Sequence, residues 1–249
     1  MQSYVANVRK TKMISGPLFK CFGSKWLSSK RLPAPVHDTI VEPFAGGAGY
    51  SLRHYSKSVV LYEINSQVRE LWQWLITTSE SSIREMPVGI PVGTDIRTLG
   101  LSYGQTLLMK NWQRTNNVGN CWTVSPWGNS TGQWTENCRA RVAEESQLIK
   151  HWKIGEGGWE NAFEHHTPAT YLVDPPYQFN YNYRTPPIDY EKLALACLSR
   201  VGQVVVCEAR HPKTGEIPKW LPFLDWEKRV TSRRGPTGYS KELLCVFGR

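Results

Sequence analysis

Long apolar runs are missing from this sequence. Stretches such as Val204-Val205-Val206-Cys207 fall far short of the about eighteen consecutive apolar residues that a helix needs to cross a bilayer, so no membrane span and no membrane partner are expected. The first residues, Met1 to Val5, lead into Arg9, Lys10 and Lys12 with no apolar segment behind them, so no signal peptide is expected and a cytoplasmic location is. Closely spaced cysteines are absent too. Cys21, Cys121, Cys138, Cys197, Cys207 and Cys245 form no C-x-x-C pair, the spacing that lets two thiolates converge on one metal or act as a redox couple. A meeting of Cys121 and Cys138 across a hairpin, with His151 nearby, is weaker than a reading of six reduced thiols with no metal. Internal repeats and low-complexity tracts are lacking as well. Acidic residues are in deficit: 21 Asp plus Glu face 30 Lys plus Arg, a net charge of +9. That balance suits a polyanionic partner such as nucleic acid, bound by phosphate contacts and counterion release, or else a solvated basic surface.

Aromatic residues, by contrast, are plentiful. Eleven Trp, eleven Tyr and seven Phe carry more apolar surface than a disordered chain does, and 249 residues suffice for one substantial core with a small appended module.

The local patterns alternate strand and helix. Thr39 to Phe44 is a short apolar run ending at Ala45-Gly46-Gly47-Ala48-Gly49, read as a strand and a tight turn, with a helix over Tyr50–Ser56. Ser58–Glu63 reads as the next strand, and Gln67–Thr77 carries Val68, Leu71, Trp72, Leu75 and Ile76 at helical spacing. This is a βαβ unit with a parallel sheet. From about Ser79 to Asn137 the chain is rich in Gly, Asn, Ser, Thr and Trp, with little periodicity. A helix over Arg139–Trp152, a buried strand over Thr170–Val173, a helix over Tyr190–Arg200 and a buried strand over Gln203–Cys207 follow. Asp225–Ser232 and Lys241–Phe247 read as a hairpin around Arg233-Arg234-Gly235-Pro236-Thr237-Gly238. The expected architecture is α/β, with residues 1–78 and 139–249 forming one domain and residues 79–138 a polar insert.

The turn Phe44-Ala45-Gly46-Gly47-Ala48-Gly49 sits where a first strand meets a helix, the place where open sheets bind ligands. A dinucleotide fingerprint fails because Leu52 stands three residues after Gly49. A P-loop fails because Tyr50-Ser51 is not Lys-Ser or Lys-Thr. A nucleoside cofactor without a pyrophosphate remains, which describes S-adenosylmethionine, and Glu63 at the end of the second strand is placed to take ribose hydroxyls. The alternative is a glycine turn that packs a helix and binds nothing.

The strongest signal is Asp174-Pro175-Pro176-Tyr177, directly after Tyr171-Leu172-Val173. Two prolines lack the N–H donors a central strand needs, so they fix a rigid turn at the strand's end. An exocyclic amino group on a flat ring offers two N–H donors and a stacking face. Asp174 and the Pro175 carbonyl suit the donors, and Tyr177 suits the face; stacking is worth about 1–3 kcal/mol per base. The alternative is a turn in which Asp174 merely caps a backbone N–H.

Together, Val41-Glu42-Pro43-Phe44-Ala45-Gly46-Gly47-Ala48-Gly49 and Asp174-Pro175-Pro176-Tyr177 resemble the α-group, or Dam-like, DNA adenine methyltransferases often carried by phages. Phe22-Gly23-Ser24-Lys25-Trp26 is similar to the family's N-terminal cofactor motif, Leu61-Tyr62-Glu63-Ile64-Asn65 to its ribose-binding motif, and Lys241-Glu242-Leu243-Leu244 to its closing strand. The resemblance spans roughly Pro17 to Phe247 and implies a Rossmann-like S-adenosylmethionine-dependent methyltransferase sheet with a target-recognition insert at 79–138. It implies methyl transfer to the N6 of a flipped adenine in DNA, expected to be double-stranded, by a monomer or weak dimer in bacterial or phage-infected cytosol. The implied catalytic residues are Asp174, Pro175, Pro176 and Tyr177. The implied cofactor contacts are Phe22, Gly23, Lys25, Trp26, Phe44, Ala45, Gly46, Gly47, Glu63, Ile64 and Asp174. Two departures stand out. Ala48 replaces the last glycine of the family's F-x-G-x-G, with Gly49 as the candidate to compensate. Gly158 occupies the place of an acid that precedes D-P-P-Y, with Glu156 as a candidate substitute.

For DNA contact, Lys110, Arg114, Asn116, Asn117, Arg139, Tyr183 and Arg184 are the candidates, since Arg reads guanine and Asn or Gln reads adenine. Rival functions are cytosine-N4 or RNA adenine methylation, and a non-catalytic nucleic-acid-binding protein on the same fold. Asp174 favours adenine over the S-P-P-Y of cytosine enzymes, and a pure binder has no need of Lys25, Gly46, Glu63 and Asp174 together.

Overall fold

The computed structural model describes residues 13–113, 122–126, 133–164, 168–179, 187–221, 227–235 and 238–247. The strands are β1 (Thr39–Glu42), β2 (Ser58–Leu61), β3 (Lys153–Ile154), β4 (Ala169–Val173), β5 (Gly202–Ala209), β6 (Glu227–Gly235) and β7 (Gly238–Phe247). The helices are α1 (Gly49–Arg53), α2 (Ser66–Thr77), α3 (Glu80–Arg84), α4 (Tyr103–Trp112), α5 (Glu136–Glu145), α6 (Trp159–Ala162) and α7 (Tyr190–Leu198).

The strands form one mixed sheet in the order β3-β2-β1-β4-β5-β7-β6. The five strands from β3 to β5 are mutually parallel, and β7 runs antiparallel to both β5 and β6. This is an α/β architecture compatible with a Rossmann-like fold. Successive side chains on a strand point to opposite faces, and the core divides accordingly. Ile40, Val59, Leu61, Leu172, Val205 and Leu244 pack against α1, α2, α4 and α5. Val41, Val60, Tyr171, Val173, Val204, Val206 and Leu243 pack on the other face with α6, α7 and Trp220. Both faces are covered, which explains why the central strands read as unbroken apolar runs.

Element ends differ from the sequence expectations for local reasons. Strand β1 stops at Glu42, because Pro43 has no N–H for a ladder. The helix expected at 50–56 is α1, which begins one residue earlier and ends at Arg53. The helix expected over 139–152 starts at Glu136, where the Thr135 side chain accepts from the Cys138 N–H, and tightens into a 3-10 turn at Ser146–Ile149. The C-terminal hairpin pairs all the way to Gly235 and Gly238, so Arg233 and Arg234 lie in β6 and not in a turn.

The segment 79–138 holds more regular structure than its composition implied. Ser102 and Gln105 form a capping box that starts α4. Leu107, Leu108, Met109, Trp112, Val124 and Trp134 then join the same apolar cluster as Leu71 and Trp72 of α2. Trp112 donates its indole N–H to the Leu18 carbonyl and Trp134 to the Pro87 carbonyl, so both indoles are packing residues.

Candidate active site

The strand order reverses between β1 and β4. Their carboxyl ends diverge into two different connections there, leaving the crevice where open α/β sheets bind ligands. The Gly-rich turn leaves β1 and Asp174-Pro175-Pro176-Tyr177 leaves β4, so both motifs open at this crevice.

The first turn is built from backbone demands. Gly46 has φ +46° and Ala48 φ +42°, ψ +40°, both left-handed. An alanine in that region costs about 1–2 kcal/mol, and burying its methyl group returns about 0.8 kcal/mol. Ala48 therefore holds a left-handed conformation that glycine would adopt at lower cost. Gly49 serves another purpose. A Cβ on it would lie 2.1 Å from the Trp26 nitrogen and 2.7 Å from the Lys25 carbonyl carbon. Gly49 is thus the close approach that seats the Lys25–Trp26 backbone over the start of α1. Gly49→Ala is expected to cost about 3 kcal/mol of stability, the upper end of the usual overpacking range, because both colliding atoms are backbone. A urea-unfolding midpoint unchanged from the wild type would contradict this.

Glu63 follows β2 and faces the same turn. Its Oε2 accepts from the Gly46 N–H at 2.8 Å and its Oε1 from the Asn65 N–H at 2.8 Å. Burial pushes its carboxyl above the usual range, and the backbone donors and Arg69 pull the other way. Trp72 donates to the Gly46 carbonyl at 2.8 Å, tying the turn to α2. Ile64 beside it is exposed, and Phe44 stacks on Trp159 of α6 at 6.2 Å between centroids.

The second turn meets Lys25. This side chain is only 5% exposed, and its Nζ lies 2.7 Å from Asp174 Oδ1 and donates to the Tyr177 hydroxyl at 2.7 Å. Two residues of the Asp174–Tyr177 turn thus converge on one ammonium group supplied from about 150 residues earlier in the chain. The Lys25 segment is braced from α1: Arg53 donates twice to the Trp26 carbonyl and lies 4.1 Å over the Trp26 ring. Trp26 is therefore a strut for Lys25 before it is anything else. Phe22 is partly exposed, and Gly23 has φ +75° in the turn between them.

Two buried carboxyl groups flank this centre and escaped the sequence reading. Glu42, at the end of β1, accepts from Ser51 N at 2.9 Å and Ser51 Oγ at 2.6 Å. Burial pushes it up to about 7; Ser51 opposes the shift, Asp174 adds to it and Lys25 reduces it. Glu208, near the end of β5, is also pushed up to about 7 by burial, against its own N–H donors. An acid that interrupts or ends a buried apolar strand was the available signal for both.

The other candidates scatter. Glu156 follows β3 and, with Arg69, Glu70, Gln73, Ile154, Gly155 and Gly157, lines an open cleft of about 440 Å³. Gly158 caps α6, and a Cβ there would lie 3.0 Å from Glu160 Oε2, so acids stand on both sides of the glycine. Lys110, expected to reach DNA, is instead buried: it donates to Gln67 Oε1 at 2.7 Å and lies 4.1 Å over the Trp122 ring. Arg139 spends its donors on the Met86 carbonyl and Glu136. Arg114, Asn116, Asn117, Tyr183 and Arg184 lie outside the described residues, as do Cys121, Trp127, His165 and His166. His151 is exposed, with Nε2 3.0 Å from the Lys57 carbonyl oxygen, and among the described residues no group of three or more His, Cys, Asp or Glu is placed to hold a metal ion.

No family model matches the chain, and no curated protein matches it.

Proposed function

We propose that the chain is a DNA adenine-N6 methyltransferase using S-adenosylmethionine. The observation that carries this reading is the convergence of Lys25, Asp174 and Tyr177 at the carboxyl edge of the sheet, beside a glycine turn whose Gly46 N–H is bound by Glu63.

The residues present fit such a cofactor. Glu63 is an acceptor-only carboxylate at the end of β2, suited to a ribose diol. Gly46 and Gly47 bring no side chain to the turn, and the half-buried Phe44 and exposed Ile64 offer apolar surface for an adenine ring. When bound, S-adenosylmethionine supplies an electrophilic sulfonium methyl.

On the target side, Asp174 and the Pro175 carbonyl accept the two amino protons of adenine. The amino lone pair is delocalised into the ring, so gripping both protons favours the pyramidal nitrogen of the transition state over the flat ground state. Tyr190 donates to the Pro176 carbonyl at 2.5 Å, which leaves the Pro175 carbonyl as the turn's acceptor for substrate. Tyr177, its hydroxyl held by Lys25, offers a ring for the flipped base. Asp174 and the Pro175 carbonyl hold the amino nitrogen for the methyl group of bound S-adenosylmethionine; the surplus proton of the methylated amine passes to Asp174 or to water, so Asp174 aligns and stabilises without acting as a prior base.

The test begins with the cofactor. Titration calorimetry is expected to show S-adenosylmethionine binding, and Glu63→Ala to weaken it by about 10- to 100-fold while slowing the saturated reaction little. An unchanged dissociation constant would remove the ribose assignment, and no binding to the wild-type chain would remove the proposal.

A further inference from the structure

Glu208 interrupts an otherwise apolar strand, Val204-Val205-Val206-Cys207-Glu208, and has no exposed surface. Three N–H donors converge on it. Oε2 accepts from Gln178 N at 3.3 Å and Trp220 Nε1 at 3.0 Å, and Oε1 accepts from Ala209 N at 2.8 Å. Gln178 is the residue immediately after Tyr177, and its side-chain Oε1 accepts from Lys219 N at 3.0 Å. Tyr190, whose ring lies 5.6 Å from that of Trp220, holds the Pro176 carbonyl. The Asp174–Gln178 turn is therefore fastened at its far end from β5, from α7 and from the segment around Trp220.

A carboxylate is an expensive way to end a buried strand, and an apolar side chain would serve packing better. What only a carboxylate supplies here is two acceptor oxygens for three donors. A carboxamide would turn an NH₂ group toward at least one N–H. We propose that Glu208 is a positioning residue: acting through Gln178 N and Trp220, it holds the turn so that Asp174 and the Tyr177 ring stay aligned on the target amino group and base. The alignment role rests on the methyltransferase reading; the fastening does not.

The experiment uses the full chain at pH 8, above the value of about 7 to which burial raises Glu208, as wild type, Glu208→Met and Trp220→Phe. Amide exchange over residues 174–179 is read alongside the strands, together with the thermal midpoint, S-adenosylmethionine affinity and single-turnover methyl transfer. In Glu208→Met, which removes both acceptor oxygens at similar volume, exchange at the turn is expected to quicken by about tenfold while β1 and β4 stay protected. The transfer rate is expected to fall by about 10- to 100-fold with cofactor affinity within about twofold, the split that misalignment produces. Trp220→Phe, which leaves the Gln178 bond in place, is expected to keep most of the rate. Unchanged exchange at the turn would overturn the proposal. So would equal rate losses in the two variants that track their thermal midpoints, since the carboxylate would then merely support Trp220. No transfer by the wild-type chain would overturn the reaction and the alignment role together, while the exchange result would still report on the fastening by itself.

Discussion

Under the proposed methyltransferase reading, Asp174→Asn is expected to lower the rate of methyl transfer by about a thousandfold while leaving the chain folded. The size follows from the role: a charged acceptor aimed at an amino group that becomes cationic contributes most in the transition state, and losses of this order accompany removal of one such group. Retention of the fold follows from the surroundings. Lys25 would keep the Tyr177 hydroxyl, and its charge would still be faced by Glu42, whose ionisation burial and Asp174 both oppose. With the Asp174 charge gone, one of those oppositions is lifted and Glu42 ionises more readily, offsetting the buried ammonium. The measurement is a single-turnover rate with a thermal midpoint beside it. A rate within about tenfold of the wild type would remove Asp174 from the centre of the mechanism.

The second large effect is a dependence of stability on pH with an unusual sign. Glu42 and Glu208 are both raised to about 7 in the folded chain, from an ordinary value of 4.5. Between those values the folded state binds more protons than the unfolded state, so this contribution is full below about pH 4.5 and is lost as pH rises through about 7. Each group accounts for at most about 3 kcal/mol, since a tenfold change in proton affinity is worth about 1.36 kcal/mol. Other carboxyls pull in the opposite direction: Arg97 holds Asp95 down to about 2, and Lys57 lowers Asp38. A difference curve isolates the effect. Glu42→Gln keeps an acceptor for Ser51 and removes the titration. Relative to that variant, the wild type is expected to lose about 1–3 kcal/mol between pH 5 and pH 8 in urea unfolding. A flat difference would show that Glu42 titrates as an ordinary carboxyl.

Much of the fold was legible because its signals are local. A parallel strand buried on both faces reads as an apolar run, and Ile40-Val41, Val59-Val60 and Leu172-Val173 do so. The hairpin at the C-terminus was legible as alternating strands, although its pairing extends into residues that look turn-forming. The helix α4 was hidden because Gly104 and a run of polar residues blur its period, and only the capping box at Ser102 marks its start.

In the site, Asp174, Tyr177, Glu63 and Lys25 were nameable from short motifs, but their convergence depends on strand order, which no local pattern encodes. Gly49 shows the difference well. Its value lies in having no Cβ, which would fall 2.1 Å from the Trp26 nitrogen, a relation visible only in three dimensions. Lys110 shows the converse: its surroundings in sequence look like a nucleic-acid surface, yet Gln67 and Trp122 take the charge into the interior.

The most direct measurement incubates the purified chain with isotopically labelled S-adenosylmethionine and mixed-sequence duplex DNA, then digests the DNA to nucleosides. Label in N6-methyladenine, lost in Asp174→Asn, is the predicted result. Label in a cytosine derivative would keep the cofactor and contradict the base. Cofactor binding without transfer to this DNA would contradict the central claim, leaving RNA as substrate or a protein that binds without reacting.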